Sequence, residues 1–389
     1  MTYRAAVIGI GPDPDERSPD GYAVAYRHAE GFQRSDACEL VACADSAVEN
    51  AAAFARSFDV DSVYTDHELL LEEDAPDVVS VCVPPPLRAA VARDCATAGS
   101  VVAIHCDAPM ATTWGECEKL VEVCRTNDVQ LTVGHQRRFA TPVQEANRLL
   151  ESGAIGRLRR IEWSEANLFL RGTHLFDLCD YFTGGTRPQW VLAGVDVDPD
   201  NRWSGTLSEV VAVAQWEYDD GTMGFASTAD GNRQTLVDAY LRLVGADGVI
   251  EIQPTDGPPV RVRTDGRWRT VDTAGETVHG RRQHRRRSTA GKLVDAIPGL
   301  TRSRFHPSTH HERAIEHLVT SLDSGTEPVI SGRRALRGTE LIFACWESAR
   351  RRERIDLPLD VTGNPLSELC EEQYGRAHSR RVIDTSRDW

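Results

Sequence analysis

The strongest constraint on this chain is the way apolar residues are spread over its first 135 positions. Short continuous apolar runs at 5–9, 40–44, 78–83, 101–105 and 129–134 alternate with segments of helical period at 21–32, 48–58, 87–98 and 114–125. Continuous runs fit strands covered on both faces, whereas a half-exposed strand would alternate. Strands that alternate with helices predict βαβ units and a doubly wound parallel sheet.

Beyond residue 155 the texture changes. Residues 157–166 alternate like a strand, and 173–182 read as a helix. Strand candidates follow at 190–195, 210–218, 223–227, 236–244, 249–253 and 260–263. Asp219-Asp220-Gly221 and Ala246-Asp247-Gly248 supply hairpin turns between them, because glycine accepts positive φ. The pattern predicts a C-terminal α+β domain with a large, mostly antiparallel open sheet. Two helices are expected near the end. The first opens on Thr309-His310-His311-Glu312, a capping box, with Ile315, Leu318, Val319 and Leu322 on one face. The second is expected over 334–350. The expected organisation is 1–140, 141–360 and a tail over 361–389. No internal repeat is present.

Charge narrows the function classes. Acidic residues number 59 against 44 basic ones, a net charge of −15, and only Lys119 and Lys292 are lysines. So acidic a surface repels nucleic acid and anionic lipid, which argues against a polyanion-binding role. The balance resembles that of proteins from salt-adapted archaea, whose carboxylates keep the surface hydrated. No run of eighteen apolar residues is present, and the N-terminus lacks the pattern of a signal peptide, so a cytoplasmic protein is expected. The ten cysteines are scattered with no Cys-x-x-Cys pair and read as reduced core residues. One stretch, 278–305, is strongly basic, with an Arg run over 281–287. It reads as a loop paired to the protein's own acids or as a contact for an anionic partner.

The chemistry begins at Gly9-Ile10-Gly11, directly after the first apolar run. A glycine turn there lets backbone approach a pyrophosphate at the start of the next helix. Asp45 ends the second run. A carboxylate in that place accepts from ribose hydroxyls and repels a 2′-phosphate, which favours NAD(H) over NADP(H). A third glycine is missing. Residues 12–20 read instead as an insertion carrying Asp13, Asp15, Glu16 and Asp20.

At this point the sequence resembles the glucose–fructose oxidoreductase / inositol dehydrogenase (Gfo/Idh/MocA) family. The resemblance rests on Val7-Ile8-Gly9-Ile10-Gly11, Val83-Pro84-Pro85, Cys106-Asp107-Ala108-Pro109-Met110 and Gly134-His135-Gln136-Arg137-Arg138-Phe139. It continues through Gly153-Ala154-Ile155-Gly156, Gly172-Thr173-His174-Leu175-Phe176-Asp177 and Glu347-Ser348-Ala349-Arg350 with Asp356-Leu357-Pro358-Leu359. It implies a Rossmann domain and a C-terminal α/β domain whose open sheet often joins subunits, and so a dimer or tetramer. It also implies hydride transfer between a nicotinamide and a sugar, polyol or related small molecule. The nicotinamide is then expected near Pro84, Asp107 and Pro109.

The departures matter as much. The family's Glu-Lys-Pro reads Asp107-Ala108-Pro109 here, so the lysine that serves the reacting oxygen is absent. Leu170 stands where many members carry Asp. His174 remains as the acid/base candidate, since imidazole suits proton transfer at neutral pH; the alternative is a His that only packs or caps. Arg88, Arg137, Arg138 and Arg171 are candidates to bind an anionic group on the substrate or to form ion pairs. Asp177, three residues after His174, either orients that imidazole or serves the helix. His306, His310, His311 and His317 lack the partners of a metal site, and none is expected. Two other readings stay open: a dinucleotide-binding protein without dehydrogenase activity, and transient oxidation giving net elimination or hydrolysis.

Overall fold

A computed structural model describes residues 2–12, 24–229, 236–281 and 308–375. The predicted insertion, the Arg run and His306 therefore lie wholly or almost wholly outside the described residues. The first sheet contains β1 (Tyr3–Ile8), β2 (Cys38–Ala44), β3 (Ser62–Tyr64), β4 (Val78–Val81), β5 (Ala103–Cys106) and β6 (Gln130–Val133). All pairings are parallel, in the order β3-β2-β1-β4-β5-β6. The order reverses between β1 and β4, so a crevice opens beyond the carboxyl ends of those strands.

Helices α1 (Val24–Arg34), α2 (Val48–Phe58), α3 (His67–Glu73), α4 (Pro85–Thr97) and α5 (Trp114–Thr126) flank this sheet. Strand residues serve the two faces in turn. Val79, Val81, Ile104 and Cys106 join the larger core, while Val78 and Ala103 join a smaller one with Phe32 and Phe54. That double burial is why the strands are apolar throughout. Gln136–Phe139 then form a 3-10 turn, and α6 (Thr141–Glu151) leads to the second domain.

The second sheet is built from β7 (Leu158–Glu165), β8 (Pro188–Trp203), β9 (Thr206–Tyr218), β10 (Met223–Ala229), β11 (Ala239–Gly245), β12 (Gly248–Pro254), β13 (Val260–Thr264) and β14 (Arg267–Thr270). A ribbon of β15 (Glu276–Thr277) and β16 (Gly280–Arg281) stands apart, and β17 (Ile355–Asp356) closes one edge. The order is β14-β13-β12-β11-β7-β10-β9-β8-β17. The sheet is mixed: β7 and β10 run parallel, and every other neighbour is antiparallel. One face packs on α7 (Thr173–Phe182) and α9 (Gly332–Arg351) around Trp163, Trp216, Phe176, Phe343 and Trp346. The other face leaves Leu192 and Val213 exposed.

Two segments end up where the sequence does not put them. Helix α8 (His310–Ser324), capped by the expected Thr309–Glu312 box, returns to the first sheet and lies on α1. Its approach is close: a Cβ on Gly31 would meet Ile315 at 2.7 Å. Part of the expected tail is instead α10 (Pro365–Tyr374), which buries Leu366, Leu369 and Cys370. Asn364 donates to the Thr112 carbonyl, and the backbone N–H groups of Trp114 and Gly115 donate to Gly363 and Thr362, fastening this segment to the start of α5.

Candidate active site

The cofactor end of the crevice starts at the β1–α1 turn. Gly9 has φ +84°, and a Cβ there would stand 2.4 Å from the Val83 nitrogen, so glycine alone lets this turn meet the end of β4. Gly11 has φ +69°, and a Cβ on it would meet nothing within 4 Å. The turn is thus tight on the protein side and open on the crevice side, as a cradle for a dinucleotide must be. Asp45 sits beside it. One carboxylate oxygen accepts from the Ile10 and Gly11 N–H groups at 2.7 and 2.9 Å. The other accepts from the Ala47 N–H at 2.9 Å and the Asn50 amide at 3.3 Å. A carboxylate has about four acceptor positions, so a ribose hydroxyl would take the place of the longest of these, Asn50. The donor set fits a dinucleotide.

Pro84 precedes α4 as its cap residue, and Asp107-Ala108-Pro109 follows β5. Both loops are tied by Arg88, which is 3% exposed. It donates to the Val83 carbonyl at 3.0 Å, the Pro109 carbonyl at 2.7 Å and the Asp107 carboxylate at 2.9 Å. Arg88 is therefore a brace between the loops that follow β4 and β5, not a free substrate ligand. Ala108, where the resemblance leads one to expect a lysine, is half-buried against core residues, and its side chain offers no polar atom.

Arg138 is likewise structural. It is 1% exposed and grips Asp177 through two nitrogens, each at 2.7 Å, and Asp180 at 3.0 Å. Arg337 holds Asp180 from the other side. Asp177 does not orient His174. Its carboxylate stands 3.0 Å from His135 Nδ1, so the imidazole it steadies is His135. Burial works to raise the Asp177 pKa, but Arg138 and then His135 override it and hold the carboxyl down at about 2.

His174 begins α7 with its ring edge-on to His135 at 5.9 Å. Burial, and then the charge of Arg137, push its pKa well below the usual imidazole value, so it is neutral at pH 7. Its Nδ1 is buried with no hydrogen-bond partner. Arg137 is buried too, its guanidinium donating to the Tyr240 hydroxyl and lying 5.2 Å from that ring. Tyr240 stacks edge-on with His279. Burial raises the phenol to about 12 and lowers His279 to about 4. Arg171 is exposed beside them, its backbone N–H bound to Asn167. Of the predicted residues, Arg137, Arg171 and His174 thus share one site, while Arg88 and Arg138 support it.

The sequence reading missed Tyr240, His279 and the role of His135. Only His135 carried a signal, next to the two arginines. His310 and His311 stack at 4.4 Å, whereas His317 lies against Phe139 and accepts the Val329 N–H. A further buried pair, His28 and His105, is satisfied by Ser80 and Thr132 at 2.6 and 2.9 Å, and burial pushes both imidazoles far down.

Comparison with known proteins agrees with this geometry. A model of the Gfo/Idh/MocA oxidoreductase family, NAD-binding Rossmann fold, matches residues 20–135. Its companion, the C-terminal alpha/beta domain, matches 150–357. The first match begins beyond the glycine turn. A D-apiose dehydrogenase from Paraburkholderia graminis is 24% identical over 374 residues, 91% of this chain and 90% of its own. An oxidoreductase from Agrobacterium radiobacter, solved with NAD+, L-tartaric acid and magnesium, superposes with TM-score 0.70 at 18% identity, over 92% of this chain and 98% of that one. The WlbA dehydrogenase from Bordetella pertussis, solved with NADH and UDP-GlcNAcA, gives TM-score 0.68 at 19% identity, over 92% and 100%.

Proposed function

The chain belongs to the Gfo/Idh/MocA oxidoreductase family, and on that premise we propose that it is an NAD(H)-dependent dehydrogenase of a sugar, polyol or related small molecule. What carries this is a pair of half-sites: an open glycine turn with Asp45 at its side, and a neutral His174 beside Arg137. When bound, the nicotinamide accepts or returns the two electrons of a hydride. The rest falls to the protein. As the carbinol C–H leaves with its electron pair, the hydroxyl proton passes to a nitrogen of His174, and a carbonyl remains. A neutral imidazole is the form that can accept that proton. Asp107, held by Arg88, and Pro84 would border the nicotinamide when it is bound. Tyr240 and Arg171 line the substrate side.

Asp45 supports a preference for NAD(H), because a 2′-phosphate would face a carboxylate already committed to the turn. The exposed apolar residues Leu192 and Val213 support assembly into a dimer or tetramer through the open sheet face. The acid-rich, lysine-poor composition supports work in high salt, so assays belong there. The test has two parts. Added NAD should raise the melting temperature, and a panel of sugars and polyols should yield NADH with at least one member. His174→Ala should then lower kcat by at least 100-fold and leave NAD affinity within about threefold, general acid–base groups being worth roughly 10²–10⁴ in rate. Unchanged turnover would remove His174 from the mechanism.

A further inference from the structure

The inner end of this site holds a cation that no carboxylate among the described residues answers. Arg137 is 6% exposed, and among the described residues its one hydrogen-bonding side-chain partner is the Tyr240 phenol. Burial keeps that phenol neutral, so it offsets none of the charge. Among the described residues no carboxylate oxygen lies within 4 Å of the guanidinium. The contrast with its neighbours is sharp. Arg88 and Arg138 are as deeply buried, and both are paired, to Asp107 and to Asp177 with Asp180. Glu165 is close enough to act on Tyr240 and His279, but one of its carboxylate oxygens accepts the Ala166 N–H at 2.9 Å. A buried guanidinium without a counter-ion is strongly unfavourable. Beside it lie the unpartnered Nδ1 of His174 and the exposed Arg171.

We propose that the counter-ion is the substrate: this dehydrogenase acts on an acid sugar, an aldonate or uronate, whose carboxylate is held by the fork of Arg137 with Arg171 at the mouth. The inference rests on the dehydrogenase reading above and names its substrate class. A planar carboxylate matches the guanidinium fork in shape and its single negative charge in magnitude. A phosphate dianion would call for a second buried cation, and Arg171 is not buried. Docking the carboxylate also offsets the Arg137 charge, which adds to burial in depressing His174, so the base gains strength once an acid is in place.

The experiment uses the full chain with NAD and matched pairs: D-gluconate with D-glucitol, D-galacturonate with D-galactose, and D-glucose 6-phosphate beside them. Melting temperature and initial NADH formation are read for each. The acids should shift the melting temperature and turn over in preference to their neutral partners. Arg137→Met should raise KM for the acid about 10- to 100-fold, the range expected of a charged hydrogen bond, and move KM for the neutral partner less than threefold. The acidic limb of its kcat/KM profile should move to higher pH, since a positive charge beside His174 is gone. Arg137→Lys, which keeps the charge and loses the fork, should fall between; it carries the test if the Met variant does not fold. The proposal is overturned if neutral compounds match the acids, if the phosphate ester outcompetes them, if no acid binds, or if both Arg137 variants behave as wild type. Failure of the dehydrogenase reading looks different: NAD then neither binds nor is reduced with any compound, while an Arg137-dependent shift by the acids would still report the anion site.

Discussion

Arg138→Met tests how the site is held in shape. The wild-type guanidinium makes two 2.7 Å bonds to the Asp177 carboxylate, one of 3.1 Å to its carbonyl and one of 3.0 Å to Asp180. Methionine fills much of the volume and removes all four. Asp180 keeps Arg337, whereas Asp177 keeps only His135. One stranded buried carboxylate corresponds to the lower part of the usual 3–5 kcal/mol for a broken buried pair, so the expected loss is about 3 kcal/mol. The pH dependence gives a second handle. In the wild type Asp177 sits at about 2 against an ordinary 3.8. It therefore contributes about 2 kcal/mol above pH 4, lost as pH falls toward 2. Without Arg138, burial dominates and the carboxyl moves above 3.8. The variant then takes up a proton that the unfolded chain releases, and its deficit shrinks as pH is lowered from 7 to 5. Urea denaturation followed by far-ultraviolet circular dichroism at pH 7, 6 and 5 measures both. A deficit under about 1 kcal/mol, or one that grows on acidification, would refute the argument.

Two further outcomes follow from single carboxylates. Asp45→Ala should weaken NAD binding, seen as at least a tenfold rise in its KM, and narrow the preference over NADP; an unchanged ratio of the two kcat/KM values would show that Asp45 does not select the cofactor. Glu209 is 1% exposed, and burial raises it to about 7 from 4.5. The folded protein holds a proton there that the unfolded chain loses, so stability falls as pH rises from 4.5 to 7, by about 3 kcal/mol. Glu209→Gln should remove that slope and leave the protein more stable at pH 8 by chemical denaturation; an unaltered slope would refute it.

What the sequence revealed and what it hid divide on physical lines. The central strands of the first sheet were legible because burial on both faces writes itself as continuous apolar residues, as in Val78–Val81. The three residues of β3 at the sheet edge carry no such mark. The Thr309 capping box was legible because it is local chemistry, but the destination of α8 was not, since a stripe of Ile315, Leu318 and Val319 does not say which sheet it covers. The same holds in the site. Nothing in the letters separates Arg88 and Arg138, buried with acids 19 and 39 residues away, from Arg137, whose partner is 103 residues away. Asp177 stood at helical spacing from His174, yet its charge serves His135, which reaches it from another element.

The return of α8 also sets an order of events in the cell. Translation delivers residues 2–133, the whole first sheet, long before residues 310–324 exist. Until then α1 carries a bare apolar flank around Ala29 and Phe32, whose cover is Ile315, Leu318 and Val319. The strands of the second sheet between β8 and β14 are joined mostly by tight hairpins and pair through shorter contacts, but the face that α9 covers waits longer still, since Gly332–Arg351 follow α8 in the chain. The domain made first therefore stays incomplete while most of the second is added, and a growing chain stalled before residue 310 presents a sticky half-domain to chaperones and aggregation alike.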